Sequence, residues 1–172
     1  MEPVDLALCL AVDASSSVDH QEFGLMMDGY AAAFRDPAIA AACTAGPRGA
    51  VAVAMLQWSG LGVQELVVPW TRLDGPDAIA GFAAALDATP RIARAGATAL
   101  GEGLAAALAL LARCPADAAR GVVDVSGDGP NNQGRPPGPL RDIGVAAGVT
   151  INALAVVNEE PDLLGYYQAE LI

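Results

Sequence analysis

The sequence predicts an α/β domain of three layers, in which a mainly parallel sheet lies between two layers of helices. Strand-like and helix-like segments alternate along the chain, which is typical of this class. The segments 4–12 and 50–58 are apolar almost throughout, as expected for parallel strands that are buried on both faces. A chain of 172 residues with 53% hydrophobic residues can bury one core. We therefore expect a single domain over residues 1–172.

The helices are predicted from apolar residues at helical spacing, and the strands from short apolar or alternating runs between turns. The predicted elements, in chain order, are strand 4–12, helix 19–35, strand 50–58, strand 63–71, helix 74–88, helix 98–113, strand 122–125, helix 140–147, strand 149–157 and helix 162–171. The short turn at 59–62 predicts an antiparallel hairpin, and Pro69 favours an edge position for its second strand. Because a helix is predicted up to the last residue, we also expect that a further strand and helix of the fold are missing here.

The charge and composition restrict the classes of partner. The formal net charge is −11, and all nine basic residues are arginine. This balance disfavours nucleic acids and acidic membranes, which are bound by basic surfaces. There is no apolar run of about 20 residues, so no membrane span is expected. The first residues show no signal peptide, which predicts a cytoplasmic location if the sequence is complete.

The three cysteines do not form a metal-binding pattern. Cys9 lies in the first apolar strand and is expected to be a small buried side chain. Both a disulfide between Cys43 and Cys114 and two free thiols fit the sequence. His20 is the one histidine, which excludes a histidine-rich zinc site.

Oxygen-bearing side chains follow the strands at the sheet edge where ligands bind in this class of fold. They are Asp13, Ser15 and Ser17 after the first strand, Ser126 and Asp128 after the fourth, and Thr98 at the start of a helix. Hard oxygen ligands without histidine or thiolate suit Mg²⁺, Mn²⁺ or Ca²⁺. The pattern therefore predicts a divalent-cation site at this edge.

Each of these motifs has a simpler interpretation when it is taken alone. The serines after Asp13 can cap the next helix, and Thr98 can cap its own. The segment after the fourth strand is rich in turn formers, so that Asn131 and Asn132 either shape a turn or line a binding surface. The convergence of all three segments on one edge favours the cation site.

The motif Asp13-Ala-Ser15-Ser-Ser17, with Thr98 and Asp128, resembles the metal-ion-dependent adhesion site (MIDAS) of von Willebrand factor A-type domains. The resemblance covers residues 4–157. It implies that those five residues hold a divalent cation, most simply Mg²⁺, and that an acidic residue of a protein partner completes the coordination. We expect the partner to contact a rim around the site. The expected rim residues are Ser16, Trp58, Ser59, Asn131 and Asn132, and for Trp58 the sequence also fits packing in the core or the hairpin.

Segments such as "DGYAAAFRDP" and "VDVSGDGPNN" are similar, more narrowly, to an uncharacterised bacterial family within that superfamily. The resemblance implies an export signal before the domain, and hence a periplasmic or secreted location if this sequence begins after a cleaved signal. It also implies a final strand and helix after the domain.

Two classes of function are compatible with these residues. The first is a non-catalytic, cation-dependent protein-binding module. The alternative is a Mg²⁺-dependent hydrolase or phosphatase with Asp13 as the nucleophile, but Ser15 stands where the general acid is needed, and the chain has no lysine. A serine hydrolase would need His20 as its base, and no G-x-S-x-G motif is present. The G-x-G-x-x-G turn of a dinucleotide site is also absent after the first strand.

Overall fold

The computed structural model describes residues 1–92, 96–157 and 160–172. The elements within these ranges are β1 (Leu6–Asp13), α1 (His20–Arg35), α2 (Pro37–Thr44), β2 (Val51–Trp58), β3 (Gln64–Leu73), α3 (Pro76–Asp87), α4 (Leu100–Leu111), β4 (Gly121–Gly127), α5 (Pro137–Ala146), β5 (Val149–Ala155) and α6 (Leu163–Glu170). The predicted three-layer α/β class is confirmed. One difference is that α2 is a separate helix, because Asp36 caps it and Pro37 cannot continue α1.

The sheet has the strand order β3-β2-β1-β4-β5. β1 lies at its centre and pairs in parallel with β2 and β4, and β4 pairs in parallel with β5. β3 is antiparallel to β2 and lies at one edge, as the hairpin turn predicts. The pairing register of β3 shifts between the partners of Val53 and Leu56, in the part of the strand that contains Pro69. A proline is tolerated there because an edge strand needs fewer ladder hydrogen bonds.

The sheet separates two apolar cores. One core lies against α1 and α3, where the rings of Phe34 and Phe82 meet edge to face with 4.8 Å between centroids. The other lies against α4 and α6 and includes Trp58, Leu104 and Tyr167. The helix α4 can approach the sheet because Gly103 carries no side chain: a Cβ there would lie 2.6 Å from the Trp58 ring.

The parallel arrangement places the carboxyl ends of β1, β2 and β4 side by side. Asp13 is in register with Trp58, and Val12 with Ser126. The loops that follow these strands, together with the loop before α4, therefore meet at one edge of the sheet. In the part of the chain that the structure describes, no helix is both long and apolar enough to cross a membrane.

Candidate metal centre

The centre begins at the last residue of β1. Asp13 is fully buried, and its Oδ1 accepts a hydrogen bond from the backbone N–H of Ser15 at 2.7 Å. A carboxylate that binds the N–H two residues further on closes a tight turn. This turn directs the Ser15 hydroxyl, which is also fully buried, towards the other loops of the edge.

Three hydroxyls and a second carboxylate form a continuous hydrogen-bonded chain. Thr98 Oγ1 donates to Ser15 Oγ at 3.3 Å, Ser15 Oγ lies 3.0 Å from Ser17 Oγ, and Ser17 Oγ donates to Asp128 Oδ1 at 2.7 Å. Since Ser17 gives its single proton to Asp128, Ser15 is the donor towards Ser17. The structure thus brings together four of the five predicted ligands, and the Ser15 N–H bond ties the fifth, Asp13, to the same group.

Helix capping does not account for these hydroxyls. The N-cap of α1 is Asp19, which forms a capping box with Glu22: Asp19 accepts from the Glu22 N–H at 2.7 Å, and Glu22 accepts from the Asp19 N–H at 2.9 Å. The N-cap residue of α4 is Ala99, and it makes no side-chain cap bond. The interpretation of Ser15, Ser17 or Thr98 as caps is therefore wrong.

The two asparagines after β4 fix the position of Thr98. Asn132 Oδ1 accepts from the Thr98 N–H at 2.8 Å, and the Asn132 N–H donates to the Thr98 carbonyl at 2.9 Å. Asn131 Oδ1 accepts from the Gly101 N–H at 3.1 Å. Both asparagines therefore shape the turn, which is one of their two predicted roles. The turn holds the Thr98 loop against the Asp128 loop.

Gln57 and Arg91 hold the Asp13 loop from the other side, and sequence reasoning did not identify either residue. Gln57 is fully buried and bonds the backbone on both sides of Arg91, at the Pro90 carbonyl (3.0 Å) and the Ile92 N–H (2.8 Å). The Arg91 guanidinium then donates to the Ser15 carbonyl at 2.6 Å. A polar residue at the end of the buried strand β2 was the available signal for Gln57.

One oxygen of the Asp13 carboxylate lacks a hydrogen bond in this environment. Its Oδ2 is buried and has no hydrogen-bond partner among the described residues. Burial, with a smaller contribution from the neighbouring charge of Asp128, raises the pKa of Asp13 from 3.8 to about 7. A buried carboxylate oxygen without a partner is costly, and a cation would relieve that cost.

The spacing of the oxygens fits a small octahedral cation. Ligands at about 2.0–2.1 Å from Mg²⁺ and at right angles to each other are roughly 2.9 Å apart. The Ser15 and Ser17 oxygens are 3.0 Å apart, and those of Ser15 and Thr98 are 3.3 Å apart. Among the described residues there is no group of three or more His, Cys, Asp and Glu side chains that could hold a metal. A cation at this edge would therefore need the hydroxyls as well as the two carboxylates.

The expected rim needs two corrections. Trp58 and Ser59 are both fully buried, so they do not belong to a surface that a partner could contact. Trp58 occupies the space that Gly103 leaves in the α4 core, and Ser59 Oγ accepts from the Gly96 N–H at 2.8 Å. Ser16 is exposed, and its hydroxyl donates to the Gly96 carbonyl.

The serine-hydrolase and disulfide alternatives receive no support from the described residues. The side-chain hydrogen bonds of Ser15 and Ser17 go to each other, Thr98 and Asp128, and none of those found in the described part involves His20. Cys43 and Cys114 are both free thiols, and they lie in different apolar clusters.

Two adjacent tyrosines on α6 also contact the centre, and sequence reasoning did not identify them. The Tyr166 hydroxyl accepts from the Asn131 N–H at 3.2 Å, and the Tyr167 hydroxyl donates to the Gly129 carbonyl at 3.4 Å. Tyr167 is only 1% exposed. Burial and the charges of Asp13 and Asp128 raise the pKa of its hydroxyl above the usual range.

The sequence of the chain was compared with models of protein families. A model described as "Protein of unknown function (DUF1194)" matches residues 3–172. The chain belongs to the DUF1194 family. No curated protein matches it at a significant level.

Solved structures show which fold the DUF1194 chain shares. Proximal thread matrix protein 1 from the mussel byssus, solved with a zinc-occupied MIDAS motif, aligns with a TM-score of 0.64 and 23% identity over 89% of this chain and 36% of its own. The pilus adhesin SpaC from Lactobacillus rhamnosus GG aligns with a TM-score of 0.61 and 16% identity over 89% of this chain and 24% of its own. The conserved hypothetical protein BatB from Bacteroides thetaiotaomicron aligns with a TM-score of 0.61 and 18% identity over 87% of this chain and 66% of its own.

These likenesses show a von Willebrand factor A-like fold for the DUF1194 chain. The chain spans about a third of the mussel protein and about a quarter of the adhesin. The functions of those longer proteins therefore enter only as support for a proposal.

Proposed function

We propose that this DUF1194 domain, residues 1–172, is a non-catalytic protein-binding module that depends on a divalent cation. Asp13, Ser15, Ser17, Thr98 and Asp128 would hold the cation, and a carboxylate of the partner would complete its coordination. The observation that carries the proposal is the hydrogen-bonded chain from Thr98 to Asp128 beside the unpartnered Asp13 Oδ2.

The donor set favours Mg²⁺, with Mn²⁺ and Ca²⁺ as alternatives. All five side chains offer hard oxygen ligands, and Mg²⁺ is bound in proteins by such oxygens with few carboxylates. The neighbour with a zinc-occupied MIDAS motif supports a divalent cation in general. When it is bound, the cation would supply a positive centre that attracts an anionic ligand.

The partner's carboxylate follows from the coordination number. Mg²⁺ takes six ligands, so five side chains leave at least one position open even if each of them binds directly. Three of the five are neutral hydroxyls, so only the two carboxylates balance the formal charge of a divalent cation, and the open position can still accept one more anionic ligand. A carboxylate is the protein group that best satisfies such a position. The likeness to a pilus adhesin and a thread matrix protein supports binding rather than catalysis, and a location outside the cytoplasm.

Cation binding should stabilise the domain against heat. A ligand that binds only the folded state adds about 2.7 kcal/mol when its free concentration is 100 times Kd. We expect millimolar Mg²⁺ or Mn²⁺ to raise the melting temperature of the wild type and EDTA to reverse the rise, with Ca²⁺ and Zn²⁺ measured for comparison. Asp28→Asn is the matched control, because it removes one exposed carboxylate from α1 and should leave the rise unchanged. A melting temperature that none of the four cations moves would refute the site.

Partner recognition should depend on the Thr98 hydroxyl. A peptide selected from a random library on the Mg²⁺-loaded domain should contain an Asp, a Glu or a free carboxyl terminus that it cannot lose without losing affinity. Thr98→Ala should weaken its binding by about tenfold or more in fluorescence titrations, because the cation loses a ligand. Thr150→Ala, at an exposed position of the β5 strand, should not weaken it. Peptides that bind equally well in EDTA, or without any carboxylate, would show that the cation is not the point of recognition.

A further inference from the structure

The helix α6 contacts the Asp128 loop through two neighbouring tyrosines. One hydroxyl accepts a hydrogen bond from this loop, and the other donates one to it. Tyr166 accepts from the Asn131 N–H at 3.2 Å and is partly exposed. Tyr167 is buried, and its hydroxyl donates to the Gly129 carbonyl across a long distance of 3.4 Å. A neutral hydrogen bond of that length is weak, so the Tyr167 proton is held only loosely in this direction.

The Tyr167 hydroxyl and the unpartnered oxygen of Asp13 border the same small space. A Cβ at Gly127 would lie 2.6 Å from the Tyr167 hydroxyl oxygen and 2.9 Å from Asp13 Oδ2. Because Gly127, at the end of β4, has no side chain, both polar atoms can border this space. Asp13 Oδ2 is fully enclosed and has no hydrogen-bond partner among the described residues.

We propose that Tyr167 is a positioning residue for the metal centre: its hydroxyl supports the Asp13 carboxylate from behind, across the gap left by Gly127. The inference rests on the proposed function, since it assigns Tyr167 a role in cation binding by Asp13. The Ser15 N–H already holds Oδ1 of that carboxylate, and the Tyr167 hydroxyl donates to the Gly129 carbonyl. This role requires that the hydroxyl can also rotate about its C–O bond to direct its proton towards Oδ2. Donors that orient a ligating carboxylate typically change metal affinity by about 10- to 100-fold.

The adjacent tyrosines provide a matched pair of variants. Tyr167→Phe removes the hydroxyl beside Asp13 and keeps the ring in the core. Tyr166→Phe removes a hydroxyl from the same helix that contacts the same loop but not Asp13. In calorimetric titrations with MnCl₂ and MgCl₂ well below the melting temperature, we expect Tyr167→Phe to weaken binding by about tenfold or more, and Tyr166→Phe by less than about twofold.

A spectroscopic measurement separates positioning from general stability. The infrared difference spectrum induced by Mg²⁺ should contain a carboxylate band that Asp13→Asn removes. That band should shift in Tyr167→Phe and stay in place in Tyr166→Phe, because only Tyr167 borders the Asp13 carboxylate. If Tyr167→Phe does not fold, Tyr167→Met provides the test, since this flexible side chain also fills the core without a hydroxyl and should weaken Mn²⁺ binding in the same way.

Wild-type affinity in Tyr167→Phe, or an equal loss in both tyrosine variants, would overturn the inference. If Tyr167→Met is the variant that decides, wild-type affinity there would overturn it as well. Asp13→Asn distinguishes a failure of the proposed function from a failure of the role of Tyr167. If that variant keeps wild-type cation affinity, the proposed function itself fails. If it loses affinity while Tyr167→Phe does not, only the role of Tyr167 fails.

Discussion

Asp13→Asn should abolish cation binding while leaving the domain folded. Asparagine keeps an oxygen that can accept from the Ser15 N–H, so the turn after β1 should persist. The charge that attracts the cation is lost, and we expect Mg²⁺ and Mn²⁺ affinity to fall by more than about 100-fold, beyond the effect of removing a supporting donor. Titration calorimetry on the variant, beside Asp28→Asn as the control, measures the fall.

The same variant should be more stable than the wild type when no cation is present. Burial raises the pKa of Asp13 to about 7 in the folded state, from 3.8. Between those two values the folded state binds more protons than the unfolded state, so the free energy of unfolding falls as the pH rises from about 4 to about 7. Each tenfold difference in proton affinity corresponds to about 1.4 kcal/mol.

Urea unfolding in EDTA across this pH range checks the sign. The wild type should lose stability as the pH rises, by an amount on the order of a few kcal/mol, and Asp13→Asn should lose much less. At pH 8 the variant should therefore be the more stable protein although it cannot bind the cation. If the free energy of unfolding depends on pH in the same way in both proteins, the Asp13 carboxylate is not the buried group that titrates in this range.

Of the glycine-to-alanine substitutions, we expect Gly101→Ala to be among those that lower the free energy of unfolding most. A Cβ at Gly101 would lie 2.0 Å from the carbonyl oxygen and 2.8 Å from the carbonyl carbon of Arg135, and both atoms belong to backbone. The loop before α5 would have to move, and overpacking of this kind costs about 1–3 kcal/mol or more. The same loop begins at Asp128, so cation affinity should fall as well.

Gly81→Ala in α3 is the control for this prediction. Nothing lies within 4 Å of a Cβ at Gly81, and alanine in a helix is favoured over glycine by about 0.5–1 kcal/mol. Thermal unfolding should therefore move in opposite directions for the two substitutions. Equal stability of Gly101→Ala and the wild type would mean that α4 and the loop before α5 are less closely packed than the structure shows.

The sequence was sufficient for the fold because each element is encoded locally. Apolar runs mark the buried strands, and the short 59–62 turn marks the hairpin connection, whereas the separate helix α2 was not predicted. The meeting of the candidate ligands could be predicted for a related reason: parallel strands end at one edge, so polar residues after β1 and β4 meet there.

The parts that could not be predicted depend on contacts between distant segments. Trp58 is the last residue of an apolar strand and precedes a polar turn, and its ring occupies space that Gly103 of α4 leaves open. The face of α6 that carries Tyr167 likewise depends on how that short helix lies against β4 and β5. Neither arrangement has a local signature in the sequence.

The central position of β1 has a consequence for the order of folding. The Ser17 hydroxyl and its Asp128 partner are 111 residues apart, and they meet only after β4 has paired with β1. Closing such a long loop is slow, so the cation centre should be absent from the transition state and form after the main barrier. Interactions that form late slow unfolding and leave the folding rate unchanged. In stopped-flow experiments, saturating Mg²⁺ should therefore lengthen the lifetime of the folded domain without accelerating refolding, and faster refolding in Mg²⁺ would place the centre in the folding nucleus instead.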